Sequence, residues 1–349
     1  MNISTIDLSQ LEPLLQEIKR TYVDRGLSYG WKSNIKKDYD YGHWNNMILP
    51  NSKVINYDHS ELGLIDYHPA VKELWERVQE VIGDRKLVRA YVNGYTYGTD
   101  AYYHIDDEWL FTEYGDDITS ETVLIYLNDE WNRDWGGETS IIDDDDNFLA
   151  SVFPAKNRGL VFDSNLWHRA GSVTRMCPEL RSIIVFKTAG PEYNRPHVQW
   201  VKEKTEDIPH SGTTLFRHLY NTAMTIESMK GVPHHIINAG LYHSVYGTEW
   251  FDPKLDVSRD EIRELIGEKA ENLVHIFCTL QYRYESILNN TQGWNAETHF
   301  GLLLLELANM LEQMERQAPN EERNKRVAAL DAAINRYERK FDNEESRDD

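Results

Sequence analysis

His104 and Asp106 stand two residues apart in the run YYHIDDEW, and His168 closes the run VFDSNLWH further along the chain. On an extended strand, side chains two apart point to the same side, so the His104 imidazole and the Asp106 carboxylate can grip one ion. A third ligand must come from elsewhere. His168 follows the strand-like GLVFD and is available if an antiparallel sheet folds the two segments together. Two imidazoles and one carboxylate are the donor set of a non-haem Fe(II) site that keeps open coordination positions. A His-x-Asp tripeptide alone arises by chance, and a lone histidine is more often a satisfied core residue, so the weight rests on what surrounds it.

The elements that must position these residues are legible as a change of texture. Residues 1 to about 85 mix loops with short helical patterns, Leu11, Leu14, Leu15 and Ile18, then Val71, Leu74, Trp75, Val78 and Ile82. From about 87 to 190 come β-branched and aromatic runs, LVRAYVNGYTYG, ETVLIYLN, RGLVFD and RSIIVFK, separated by Gly, Asp, Asn and Pro clusters. Beyond Gly190 a Pro- and charge-containing stretch leads to a second half without obvious strands. Leu303, Leu304, Leu307, Ala308, Leu311 and Met314 form one amphipathic stripe there, and Val327, Leu330, Ile334 and Tyr337 another. The expected organisation is a β-rich domain over 1–190, a linker over 191–208, a helical domain over 209–341 and a polar tail over 342–349.

In order, RAYVNGYTYG, HID, YLNDEW, GGET, PAKNRGLVFD, WHRAG and ELRSIIVFK closely resemble the iron- and 2-oxoglutarate-dependent dioxygenases, in particular their prolyl 4-hydroxylase-like branch, over roughly residues 87–188. The resemblance implies a double-stranded β-helix, a jelly-roll variant whose two sheets enclose the metal. It implies Fe(II) held by His104, Asp106 and His168, 2-oxoglutarate as cosubstrate and ascorbate as reductant. It also implies decarboxylation to succinate coupled to hydroxylation of a C–H bond in a peptidyl proline or a small molecule. The family's basic residue for the far carboxylate of 2-oxoglutarate falls on Arg181, whose planar guanidinium gives two parallel charge-assisted hydrogen bonds. Arg175, Arg169 and Lys187 are its rivals, but Arg181 opens an apolar strand whose alternation turns it inward. Tyr91 and Tyr126 fall on positions that help hold the cosubstrate. Tyr95, Tyr97, Tyr102 and Tyr103 read as core or pocket wall, and Trp109, Trp131, Trp135 and Trp167 as packing residues near the substrate mouth. Gly136-Gly137-Glu138-Thr139 marks a place where backbone approaches closely.

Charge narrows the partners. The chain has 349 residues, 37 basic against 58 acidic side chains and a formal charge of −21, which disfavours nucleic acid; Asp107 and Glu108 beside the ligands further disfavour a polyanionic substrate. Two cysteines, Cys177 and Cys278, are too few for a disulfide framework. The first residues lack the pattern of a signal peptide, and the longest apolar run, LLLL, is far too short for a bilayer span, so a cytoplasmic protein without membrane contact is expected. The Asp143–Asp146 run reads as a solvated turn rather than a cation site.

The helical half carries its own histidines in HSGTTLFRHLYNT and VPHHIINAGLYHSVYGTEWF. It resembles, distantly, the HD-type metal phosphohydrolases, with AGLYHS where that family has a helix ending in His-Asp. Ser244 stands in the place of the metal-binding Asp, and Gly247 and Thr248 replace an acidic pair. A hydroxyl is a far poorer ligand for a divalent ion than a carboxylate. Three readings stay open: a degenerate scaffold for binding a protein partner or for self-association, a surviving metal site using His210, His218, His243 and Glu249, and plain structural histidines. For the whole chain, the alternatives to a hydroxylase are a sensor that binds iron or 2-oxoglutarate and signals through the helical part, and a cupin-like isomerase or sugar-binding jelly roll.

Overall fold

The computed structural model describes residues 3–32, 42–50, 52, 54–55, 58–99, 101–106, 110–111, 118–229, 231–314 and 316–345. The chain divides into two compact units, one of residues 1–51 and 57–194, the other of 52–56 and 195–349.

The first unit is built on antiparallel sheets. Strands β1 (Ile3–Asp7), β2 (Ser28–Trp31), β3 (His43–Leu49), β4 (Lys86–Tyr95), β5 (Glu121–Tyr126), β8 (Arg158–Asp163) and β10 (Arg181–Ala189) form a seven-stranded sheet in the order β1-β8-β5-β10-β4-β3-β2. Strands β6 (Thr139–Ile142), β7 (Phe148–Val152) and β9 (Trp167–Ala170) form a three-stranded sheet in the order β7-β6-β9. Neither sheet closes into a barrel, but the arrangement is that of a jelly roll. Two helices, α1 (Glu12–Ile18) and α2 (Pro69–Ile82), bury Leu14, Leu15 and Ile18 and then Val71, Leu74, Trp75 and Val78. These join one apolar cluster with Leu87, Ala90, Val92, Val123, Ile125, Ile184 and Phe186 from the sheet. Each such side chain contributes about 1.5–3 kcal/mol on burial. The cluster takes one face of β4, β5 and β10 and leaves the other face for the site.

The first 85 residues hold more than helices and loops. Three short strands there extend the large sheet, β1 pairing with β8 and β3 with β4. β1 is Ile-Ser-Thr-Ile-Asp, too short for a periodic signal, and it becomes a strand because β8 would otherwise present an open edge.

The second unit is helical: α3 (Pro196–Thr205), α4 (Leu215–Glu227), α5 (His234–Tyr242), α6 (Arg259–Ile266), α7 (Glu268–Thr279), α8 (Arg283–Leu288), α9 (Ala296–Met314) and α10 (Glu321–Glu345). The side chains of Thr214 and Ser258 cap α4 and α6 by accepting from the backbone amides of Arg217 and Glu261. A two-residue ladder, Pro209–His210 with Thr213–Thr214, precedes α4. Helix α10 continues past residue 342, where a polar tail was expected, to Glu345. Among the described residues, no helix is long and apolar enough to cross a membrane.

Candidate functional site

The two halves of the ligand set are joined by backbone. His104 and His168 form an isolated antiparallel bridge, with His104 N–H donating to the His168 carbonyl at 3.1 Å and His168 N–H to the His104 carbonyl at 3.0 Å. His168 lies on β9, and the amide of Asp106 donates to the Ser164 carbonyl at 3.0 Å, which fixes the carboxylate beside the two rings. His104 Nδ1 is 3.1 Å from the Tyr102 carbonyl and His168 Nδ1 is 2.8 Å from that of Leu166. A carbonyl only accepts, so each Nδ1 carries the proton and each ring presents the Nε2 lone pair. Those nitrogens face Asp106, His104 Nε2 at 3.5 Å from Oδ1 and His168 Nε2 at 3.1 Å from Oδ2. One ligand atom from each residue lies within 4.8 Å of the others, and this is the one such group of three among the described residues. Backbone-oriented histidines and a fixed carboxylate at this separation fit a first-row divalent ion.

Asp106 has two further partners. The Thr122 hydroxyl donates to its Oδ2 at 2.8 Å, and the Lys187 ammonium is in direct contact with the same oxygen. Lys187 is buried on β10, and burial, reinforced by the charge of Arg89, pulls its ammonium well below the ordinary lysine range.

At the other end of β10, Arg181 is fully buried. Its Nε donates to the Gly137 carbonyl at 2.5 Å and its Nη2 to the Thr139 hydroxyl at 2.9 Å. Its Nη1 is buried and has no hydrogen-bond partner. The guanidinium carbon lies 5.4 Å from the ring centres of Tyr95 and of Tyr126. The glycine pair is what lets this happen. Gly136 and Gly137 both have left-handed φ, 68° and 74°, and a Cβ on Gly137 would come within 3.1 Å of Arg181 Cδ and 2.9 Å of Trp131. Both ends share one pocket, whose walls include the three candidate ligands, Thr122, Lys187, Thr139 and Arg181. An orphaned guanidinium nitrogen in such a cavity fits an oxyanion, and a carboxylate matches its fork.

Residues 90–186 match the 2OG-Fe(II) oxygenase superfamily. Residues 200–282 match a domain of unknown function, DUF6817. Among solved structures, a prolyl-4-hydroxylase of Pseudomonas putida is 16% identical, with coverage of 54% of this chain and 92% of that one and a TM-score of 0.36. A viral collagen prolyl hydroxylase from Paramecium Bursaria Chlorella virus-1 is 16% identical, covering 55% and 97%, TM-score 0.34. A metazoan ortholog of SpoT, described as hydrolysing ppGpp, is 17% identical, covering 43% and 97%, TM-score 0.30. The comparison with curated proteins found no match.

Within the first unit, the structure places the remaining candidates as follows. Tyr91 lines the cavity, as do Tyr95 and Tyr102. Tyr126 does not; its hydroxyl lies behind Arg181, 2.8 Å from the Thr139 hydroxyl and 2.9 Å from the Val152 carbonyl, and burial raises its pKa. Arg175 is exposed, and Arg169 lies over the Tyr103 ring at 4.5 Å. Tyr97 is exposed. Trp131 donates to the Gly136 carbonyl and Trp167 to Asp144, so both pack on loops. Trp131 and Trp135 meet edge to face. Asp107, Glu108 and Trp109 lie outside the described residues. Asp143 accepts the backbone amides of Asp145 and Asn147, which makes the acidic run a self-bonded turn between β6 and β7. Sequence reasoning missed Thr122 and Asn93 as wall residues, and passed over Lys187 as a neighbour of Asp106.

In the helical unit, His218 and His243 are buried with Nε2 atoms 3.0 Å apart, and His210 stacks on His218 at 4.4 Å. The acid that meets them is Glu312, whose Oε2 lies 2.5 Å from His218 Nδ1. Glu249 is exposed instead, on the turn after α5. Arg316 holds Glu312 through both terminal nitrogens. Burial opposes ionisation of Glu312, but bonds from His218 and Arg316 outweigh it and hold its pKa at about 2. Burial likewise lowers His210 to about 4 and His243 well below the ordinary range. Among the described residues these side chains do not form a second three-ligand metal group.

Proposed function

We propose that the first unit is an Fe(II)- and 2-oxoglutarate-dependent dioxygenase that hydroxylates a C–H bond of a small-molecule or peptidyl-prolyl substrate. In this reading 2-oxoglutarate, dioxygen and R–H become succinate, carbon dioxide and R–OH. Iron supplies the oxygen chemistry when bound, and the chain supplies placement. His104, Asp106 and His168 hold the metal, with Thr122 and Lys187 orienting the Asp106 carboxylate. Arg181 receives the far carboxylate of 2-oxoglutarate; Thr139 and Gly137 aim it, and Tyr126 braces Thr139. Tyr91 forms part of the wall on which the substrate rests. Ascorbate serves as reductant. The observation that carries the reading is the buried, unpartnered Nη1 of Arg181 in the same cavity as a three-residue metal group.

The test is anaerobic titration of the full chain with Fe(II) and then 2-oxoglutarate, followed by succinate measurement on admitting oxygen. One metal per chain, saturable 2-oxoglutarate binding and succinate release are expected. Absence of 2-oxoglutarate binding sinks the proposal. Binding without any succinate, coupled or uncoupled, moves the unit to the sensor class.

For the helical unit we propose a degenerate HD-like scaffold used for binding or association. Its support is that His218 is taken up on both sides by Glu312 and His243, while Ser244 replaces a carboxylate. A second equivalent of bound metal that disappears in His218→Ala would contradict it.

A further inference from the structure

We infer that Arg89 is the receptor for an anionic group on the substrate itself, so that the molecule oxidised carries a carboxylate or phosphate a few bonds from the reacting carbon. This rests on the oxygenase reading above and adds the substrate class to it.

Arg89 lies on β4 directly opposite Lys187 of β10. Alternation puts it on the face that bears Tyr91, Asn93 and Tyr95, all three of which line the cavity. Its guanidinium carbon is 4.5 Å from the centre of the Tyr91 ring and 5.9 Å from that of Trp31, so the group is stacked on a residue of the cavity wall. Its Nε is buried without a hydrogen-bond partner, and among the described residues no carboxylate pairs with it.

Arg89 is left with an unmade hydrogen bond at Nε. Lys187, directly opposite across the sheet, is engaged by Asp106 and Thr122. Arg89 is thus the surplus cation. A guanidinium that served only solubility would carry its head into water, whereas here Nε is withdrawn from solvent. Arg181 stands six residues from Lys187 along β10, roughly 20 Å at the usual strand rise. The cation assigned to the cosubstrate and the cation left over therefore stand at opposite ends of the strand. A planar fork with unspent donors recognises carboxylate or phosphate oxygens, and an internal prolyl residue offers neither.

The experiment is calorimetric titration of the full chain, loaded anaerobically with Fe(II) and 2-oxoglutarate, using matched probes. These are small amino and hydroxy acids, their primary amides, phosphomonoesters of similar size, and proline peptides blocked at both ends. Acids or phosphomonoesters should bind about tenfold or more tightly than the neutral amides. Arg89→Gln should erase that preference and leave 2-oxoglutarate affinity as it was. A preference for acids identifies the source as a carboxylate, and one for phosphomonoesters as a phosphate; either supports Arg89. Equal binding of acid and amide, tightest binding by blocked peptides, no binding by any anion, or a preference that survives Arg89→Gln overturns it. If 2-oxoglutarate itself fails to bind the wild type, the oxygenase reading falls; if it binds and no anion preference follows, only the Arg89 assignment falls.

Discussion

Replacing Arg181 tests the assignment of the cosubstrate end most directly. Two of its three nitrogens are spent on Gly137 and Thr139, and the third has no partner. A hydrogen bond to a charged group contributes about 1.5–3 kcal/mol net, and leaving a buried ion without its partner costs about 3–5 kcal/mol. Arg181→Ala should therefore weaken 2-oxoglutarate binding by about 3 kcal/mol or more, over a hundredfold. Iron binding should persist, because none of the three metal ligands contacts Arg181. Arg181→Lys should fall between, keeping the charge but losing the fork. Isothermal titration with 2-oxoglutarate, beside Fe(II) stoichiometry and a melting curve for each variant, separates lost recognition from lost folding. A folded, iron-binding Arg181→Ala protein with wild-type 2-oxoglutarate affinity would refute the reasoning.

Gly137→Ala should lower both stability and 2-oxoglutarate affinity, since an alanine there meets a strained φ, costing about 1–2 kcal/mol, and also crowds Arg181 and Trp131. Gly98→Ala is the control: its φ of 82° carries the same strain, but nothing lies near the added methyl, so melting should drop while 2-oxoglutarate binding stays unchanged. In the helical unit, Glu312 has its pKa depressed from 4.5 to about 2, so its contribution is complete above pH 4.5 and is lost as pH falls towards 2. The melting gap between wild type and Glu312→Gln should accordingly narrow through that window, and a gap independent of pH would count against the pairing.

The three residues that the structure brings together, His104, Asp106 and His168, were legible because their chemistry is local: a His-x-Asp on extended backbone, and a histidine just after a strand. Arg181 came from the family resemblance, with alternation along RSIIVFK deciding for it against its rivals, and the same alternation carries Lys187 to the same face six residues later. That signal was present but was read only as a rival anchor. Thr122 and Asn93 could not be found this way, since neutral polar residues on a strand have no distinguishing pattern until the sheet order is known. Glu312 lies 94 residues from its partner His218 on another helix, and only tertiary packing shows that it, rather than Glu249, meets the histidine. The strands in the first 85 residues escaped because each is short and is made a strand by its neighbour in the large sheet.

The order of strands has a consequence for how the molecule is made. β10 is the last strand of the first unit to leave the ribosome, yet it sits between β5 and β4 and carries both Arg181 and Lys187. A nascent chain that has reached Asp163 holds the edges of the large sheet without its middle, so neither Arg181 nor Lys187 is present until synthesis has reached β10. Any product terminated before that point loses the centre of the sheet together with both buried cations.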